Sequence, residues 1–332
     1  MKLVSYWQQG STKLGAIVND QVYALQDVNQ QLPNDINAFL RLGVTVREET
    51  QEKLISSLLE KSGAIAPVQD YQLMAPVPHP TSCRDGYAFR QHVEAARRNR
   101  GVDMIQEFDQ YPIFYFTNHN AIQGPGAIYC MPDHFQQLDF ELEIAIVIGK
   151  EGKNIKAKDA DEYIAGFTIM NDLSARKLQM EEMLLNLGPA KGKDFSTVIG
   201  PWLVTPDELK SHLVPAKKGH VGNNYDLSMK CWVNDQLVSE GNVKDMDWTF
   251  AEIIERCSYG VTIYPGDVIG SGTVGTGCFL ELNGTGKLKD ANYTPQWLQP
   301  NDVVTMSIDG LGTLENTIYK EDTDWSILSL KK

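Results

Sequence analysis

Glu141 and Glu143 stand two residues apart in Leu138-Asp139-Phe140-Glu141-Leu142-Glu143-Ile144-Ala145-Ile146-Val147-Ile148-Gly149, an otherwise apolar run of β-strand character. Residues i and i+2 of a strand share a face, so both carboxylates would project into one small volume. Anions that close repel unless positive charge lies between them. A hard divalent cation such as Mg²⁺, Mn²⁺ or Ca²⁺ meets that need, because it prefers oxygen ligands. Taken alone, the same alternation also describes the solvated face of a half-buried strand, which is the commoner cause.

Three further clusters carry chemistry. The strand-like stretch Ala165–Met170 runs into Asn171-Asp172-Leu173-Ser174-Ala175-Arg176-Lys177-Leu178-Gln179. A helix there would bring Asp172, Arg176 and Gln179 to one face at i, i+4 and i+7. An acid, a guanidinium and an amide would then converge at a strand end, where small-molecule sites are often built. An N-capping Asp172 beside a surface Arg176 is the plainer alternative. The glycine-punctuated loop Leu187–Thr197 carries Lys191 and Lys193; a lysine beside carboxylates could stabilise a developing enolate, whereas alone both lysines read as solvated charges. Upstream, Arg84-Asp85-Gly86-Tyr87-Ala88-Phe89-Arg90-Gln91-His92 offers an acid and a histidine seven residues apart.

Composition narrows the partners of such a site. The chain has 332 residues, 42% hydrophobic and 22% charged, as in an ordinary folded protein. A net charge of -13 argues against a nucleic-acid backbone or an anionic membrane surface. No apolar run approaches the roughly 20 residues of a membrane helix, and the first residues lack a basic-then-apolar signal pattern. The expectation is a cytoplasmic protein. Five scattered cysteines without a C-x-x-C pair fit reduced thiols. Gly270-Ser271-Gly272-Thr273-Val274-Gly275 matches G-x-G-x-x-G, but the following Cys278-Phe279-Leu280-Glu281-Leu282 reads as a strand, whereas the dinucleotide fingerprint opens a helix. No nucleotide cofactor is expected, and the loop is retained as a site wall.

The elements that must position these groups are mostly short strands. Lys2–Trp7, Leu14–Val18 and Gln21–Leu25 are predicted near the N-terminus. Glu143–Gly149, Ile164–Asn171, Ser228–Val233, Val261–Tyr264 and Val303–Ile308 follow later. Helices are predicted at Arg47–Lys61 (apolar Leu54, Ile55, Leu58 and Leu59), Tyr87–Arg98, Leu173–Asn186 and Asp247–Ser258. Ala75-Pro76-Val77-Pro78-His79-Pro80 cannot join a helix or a central strand. It marks the expected boundary between a small N-terminal β-rich domain, 1–75, and a large mixed domain, 76–332.

In their order along the chain, Asp85 to His92, Asp139-Phe140-Glu141-Leu142-Glu143, Met170 to Arg176, Gly192-Lys193-Asp194-Phe195 and Ser271-Gly272-Thr273 resemble the fumarylacetoacetate hydrolase superfamily. The resemblance covers the small domain and nearly all of the large one. It implies an α+β, β-rich fold with a mixed β-roll catalytic domain, a small N-terminal β domain, a homodimer, and Mg²⁺ or Ca²⁺, with Mn²⁺ possible. It implies metal carboxylates at Asp85, Glu141, Glu143 and Asp172, with Thr197 nearby, and a general base at His92. Arg176, Gln179 and Lys193 would hold substrate oxygens and an anionic intermediate; Tyr87, Tyr115 and Thr273 would line the substrate pocket.

The implied reaction is metal-dependent hydrolysis of a carbon–carbon bond in a small β-diketone or acylpyruvate-type acid. A lyase or isomerase on the same scaffold (a dehydratase or 2-oxo acid decarboxylase) and a non-catalytic metal-dependent binding protein are the alternatives. No acid to orient His92 is evident. Val274–Cys278 contains none, and Glu94, two residues after His92, would point away from it on a helix. The run Arg97-Arg98-Asn99-Arg100 is either an anchor for an anionic group or a solvated helix end.

Overall fold

Leu142–Ile148 and Ile164–Asp172 have almost no polar residue before their site ends, and both strands are buried throughout. Strands covered on both faces read as continuous apolar runs. In the computed structural model, which describes residues 1–59 and 66–332, they pair antiparallel at the centre of a 12-stranded mixed sheet. Thr197–Val204 flanks them on one side, and Val268–Gly270, Cys83–Gly86 and Phe114–Thr117 on the other. The strand Lys2–Gln8 joins the edge of Thr197–Val204, Lys2 opposite Val204, so Ser11–Val18 and Gln21–Ala24 extend the same sheet. A second, five-stranded sheet is built from Gln236–Asn242, Ser228–Val233, Val303–Ile308, Gly312–Lys320 and Gly126–Cys130. The fold is mixed α+β and strand-rich, and neither sheet closes on itself.

The period of two along Leu142–Ile148 divides the core. Ile144, Ile146 and Ile148 pack with Met229, Met306 and Leu314 of the second sheet, while Ala145 and Val147 pack with Leu3, Leu14 and Phe39 of the N-terminal part. Glu143 lies on the odd-numbered face, at the end where the sheet stops being apolar.

Most predicted elements are present with shifted ends. The Tyr87 helix begins at Arg90 and the Asp247 helix at Phe250. The Arg47–Lys61 helix is observed as Val44–Leu59; Leu54 is buried and Ile55 is half exposed, while the side chains of Leu58 and Leu59, and Lys61, lie outside the described residues.

Two expectations fail. Asp172 is the last residue of a strand, and the helix after it starts only at Arg176. The i, i+4, i+7 face does not form, nor does Asp172 cap the helix. Second, Phe279–Lys289 is a helix and not a strand. Its alternating Phe-Leu-Glu-Leu start is overridden by Asp139, whose carboxylate accepts the amides of Phe279 (2.7 Å) and Leu280 (2.9 Å). Among the described residues no helix is long and apolar enough to cross a membrane.

Candidate active site

Asp172 and Glu143 come from the paired strands Ile164–Asp172 and Leu142–Ile148, Glu141 from the approach to the latter, and Asp85 from Cys83–Gly86 beyond the intervening Val268–Gly270; all four are buried. The solvated-edge reading of the glutamate pair is thereby overturned. One carboxylate oxygen each from Asp85, Glu141 and Glu143 lies within 4.8 Å of the others. Gly270 makes that approach possible: a Cβ there would sit 2.4 Å from Asp85 Oδ1 and 2.9 Å from Glu143 Oε2. Next to it the Gly272 amide donates to Asp85 Oδ1 at 3.0 Å, from a backbone with φ of 78° that favours glycine.

Lys193 is buried among these acids, against the expectation of a solvated loop charge. Its Nζ donates to Asp172 Oδ2 at 2.8 Å and to Glu141 Oε2. The loop is pinned from behind by Glu182, whose carboxylate accepts the amides of Ala190, Lys191 and Gly192 at 2.8, 2.8 and 3.1 Å. Lys191 stays outside, paired with Asp194 at 2.7 Å. Arg176 is also buried; it donates through Nε to Asp139 (2.8 Å), through Nη2 to Glu141 Oε1 (2.7 Å) and through Nη1 to Gln179 Oε1 (2.9 Å). The Tyr115 hydroxyl donates to Asp172 Oδ2; Thr197 reaches Asp172 Oδ1 and Thr273 reaches Glu143 Oε1, both at 3.4 Å.

Four carboxylates thus face one lysine and one arginine, and the arginine is shared with Asp139. The imbalance shows in their proton affinities. Burial, then the neighbouring carboxylate of Asp172, pushes Asp85 up to about 7. Burial and Asp85 push Glu143 well above the carboxylate range. Burial acts in the same direction on Glu141, but Lys193 and Arg176 overcome it and hold the group at about 2. Glu143 Oε2 is buried and reached by no hydrogen-bond donor among the described residues. An all-oxygen donor set with excess negative charge and an unsatisfied buried oxygen fits a hard divalent cation.

His92, on the Arg90–Arg98 helix, is buried, and its Nδ1 lies 2.7 Å from Glu281 Oε2. Glu281 is the residue that sequence reasoning missed. Its other oxygen accepts the Thr276 amide at 3.0 Å, which fixes the carboxylate. With an ionised Glu281 as acceptor, the proton of the neutral ring sits on Nδ1 and Nε2 keeps its lone pair. A ring nitrogen of His92, a Glu141 oxygen and Cys278 Sγ lie within 4.8 Å of one another, so the dyad borders the carboxylate cluster. Tyr87 packs edge-on to the His92 ring, centroids 5.9 Å apart. Glu94 is exposed and pairs with Arg90 at 3.0 Å, on another face of the helix.

Residues 81–319 match the family profile described as Fumarylacetoacetate (FAA) hydrolase C-terminal. The chain belongs to the fumarylacetoacetate hydrolase family. Over 313 residues it is 31% identical to human "Oxaloacetate tautomerase FAHD2A, mitochondrial", covering 92% of this chain and 84% of that protein. Over 202 residues it is 35% identical to rice (Oryza sativa subsp. japonica) "Fumarylacetoacetase", covering 52% and 46% respectively. The structure of maleylpyruvate hydrolase from Sphingobium sp. SYK-6 in complex with manganese(II) ion and pyruvate superposes with a TM-score of 0.68 at 21% identity, covering 96% of this chain and 99% of that one.

The fumarylacetoacetate hydrolase fold therefore gathers the sequence-predicted Asp85, Glu141, Glu143, Asp172, Lys193, Arg176, Thr197 and Thr273 into one buried cluster, with the partly exposed Gln179 and Tyr115 bonded to it and His92 and Tyr87 beside it. It adds Glu281 and Asp139. The G-x-G-x-x-G loop is built into the site wall, its Gly272 amide directed at Asp85 and the amide of Thr276, just after it, at Glu281.

Proposed function

We propose that the chain is a divalent-metal-dependent hydrolase that cleaves a carbon–carbon bond in a β-diketone or acylpyruvate-type acid. The observation that carries this reading is the buried His92–Glu281 pair beside a four-carboxylate cluster. Asp85, Glu141, Glu143 and Asp172 would hold the cation, Mg²⁺ or Ca²⁺ with Mn²⁺ as the alternative; when bound it supplies Lewis-acid polarisation of the diketone oxygens.

The chain's own groups do the rest. His92 Nε2 takes a proton from water as the hydroxyl adds to a carbonyl carbon, and Glu281 stabilises the resulting imidazolium. When the carbon–carbon bond breaks, its electron pair leaves with the second carbonyl fragment as an enolate. Lys193, Arg176 and Gln179 hold the oxygens on which that negative charge grows. The proton on His92 then returns to the enolate carbon, giving one carboxylic acid and one ketone. Every residue in this scheme falls in 76–332, which we read as the catalytic domain, with 1–75 as the N-terminal one.

A second reading is favoured by the human tautomerase, which matches nearly the whole chain. In it, His92 moves a proton between carbon and the enol system of a 2-oxo acid, and no water is added. The test is ultraviolet loss of β-diketones and acylpyruvates with Mg²⁺ and with chelator, followed by product identification. Metal-dependent formation of two fragments, abolished in His92→Ala, supports the hydrolase; interconversion of keto and enol forms without fragments supports the second reading.

A further inference from the structure

All five cysteines are buried and free, and among the described residues Cys278 alone lies together with two further metal-binding side chains. It is the N-cap of the helix Phe279–Lys289, and its Sγ accepts the Glu281 amide at 3.5 Å, which holds the sulfur in place. Glu281 in turn holds His92 Nδ1. One turn of helix thus sets a thiol directly and an imidazole through its carboxylate. Burial, and after it Asp139, push the thiol well above its ordinary pKa, so without a metal it is neutral and inert.

His92, Glu141 and Cys278 offer a nitrogen, an oxygen and a sulfur within 4.8 Å of one another, and all three residues are buried. With Nδ1 engaged by Glu281, Nε2 is the nitrogen that can face a cation, and among the described residues no hydrogen bond reaches it. Bond lengths of about 2.0–2.3 Å put the donors of a tetrahedral zinc roughly 3.4–3.6 Å apart, so each group need move by about 1 Å or less. This set differs in kind from the all-oxygen cluster beside it. Thiolate and imidazole select zinc-like cations, whereas carboxylates alone suit Mg²⁺, Mn²⁺ and Ca²⁺. Glu141 is common to both groups, with Arg176 on one oxygen and Lys193 on the other, and a carboxylate with about four lone-pair sites can serve two metals at once.

We propose that His92, Glu141 and Cys278 form a second metal site, one that takes a borderline-soft cation of the zinc class and blocks catalysis by occupying His92 Nε2. The thiol proton leaves to solvent as the metal binds. The inference goes beyond the hydrolase reading, because the proton-shuffling alternative uses the same nitrogen.

The test reads binding first and turnover second. Protein saturated with Mg²⁺ is titrated with Co²⁺, a coloured stand-in for zinc, and then with Zn²⁺. The expected result is a sulfur-to-cobalt charge-transfer band in the near ultraviolet that saturates at one Co²⁺ per chain and is bleached by Zn²⁺. Cys278→Ser, in which serine keeps the helix cap, lacks the band. Zn²⁺ at the level that saturates wild type stops its turnover, and the variant, as active as wild type without zinc, needs at least about 100-fold more. No band in wild type overturns the site whatever the variant does, and a band that survives in Cys278→Ser belongs to another thiol and overturns it too. Zinc inhibition that excess Mg²⁺ relieves equally in both proteins puts the zinc among the carboxylates, again against the proposal. A band without loss of turnover overturns the block on catalysis. Failure of the oxo-acid reading leaves the cobalt band untouched, since the band needs no substrate.

Discussion

His92 Nδ1 and Glu281 Oε2 lie 2.7 Å apart across 189 residues of chain, one on the helix Arg90–Arg98 and the other in the first turn of the helix Phe279–Lys289. The pairing sets the tautomer that leaves Nε2 basic. Glu281→Gln keeps the shape but offers His92 an uncharged partner that can hold the wrong tautomer. The expected outcome is a kcat lower by about 10²–10⁴ with metal affinity unchanged. Steady-state kinetics alongside metal titration reads both.

Glu143 is the acid least at ease in the metal-free protein, with one oxygen unsatisfied and Asp85 beside it. The amide takes the place of an acid that burial and Asp85 already press towards its neutral form, but it removes one oxygen of the proposed cation site. In chelator, Glu143→Gln is expected to melt a few degrees above wild type. Added Mg²⁺ should raise the melting temperature of wild type and not of the variant. Differential scanning calorimetry with and without Mg²⁺ checks both signs.

Lys193 acts in the opposite sense. Burial works against its charge, but Asp172 and Glu141 hold its pKa above the ordinary lysine value. Lys193→Met strands both carboxylates, and the chelated protein should lose about 3–5 kcal/mol in denaturant unfolding. Metal should restore part of that loss, without restoring activity.

His134 gives a pH signature from outside the carboxylate cluster, against the loop that carries Lys193. It stacks on Phe195 with ring centroids 4.0 Å apart, and its Nδ1 accepts the Met131 amide at 3.2 Å. Burial, aided by Lys191, lowers its pKa from 6.5 to about 4. A histidine depressed in the folded state binds fewer protons there than in the unfolded chain, so its contribution is complete above about pH 6.5 and is lost as pH falls towards 4. Across that window wild type should lose up to about 3 kcal/mol more than His134→Gln. Urea unfolding of both proteins at several pH values measures the difference.

Part of this site was legible in the chain. The i, i+2 glutamates inside an apolar run announce a carboxylate pair on one strand, and the ordered motifs bring Asp85, Asp172 and Lys193 into its company. Glu281 stayed hidden because Phe279-Leu280-Glu281-Leu282 alternates like a strand, and its helix is started by Asp139, which is remote in sequence. The burial of Lys193 was equally hidden. A glycine-rich loop reads as solvated, and only Glu182 behind it and the two acids before it pull the side chain in. The edge pairing of Lys2–Gln8 with Thr197–Val204 is a contact across some two hundred residues, which local pattern does not encode.

Water addition is the step that distinguishes the hydrolase from every proton-shuffling alternative. The most direct measurement is turnover of an acylpyruvate in ¹⁸O-labelled water with Mg²⁺, with mass spectrometry of the products. One labelled oxygen in the carboxyl group of the released acid, with stoichiometric pyruvate and none of either in His92→Ala, is the predicted result. Labelled or unlabelled starting acid that changes only between keto and enol forms, with no pyruvate released, would contradict it.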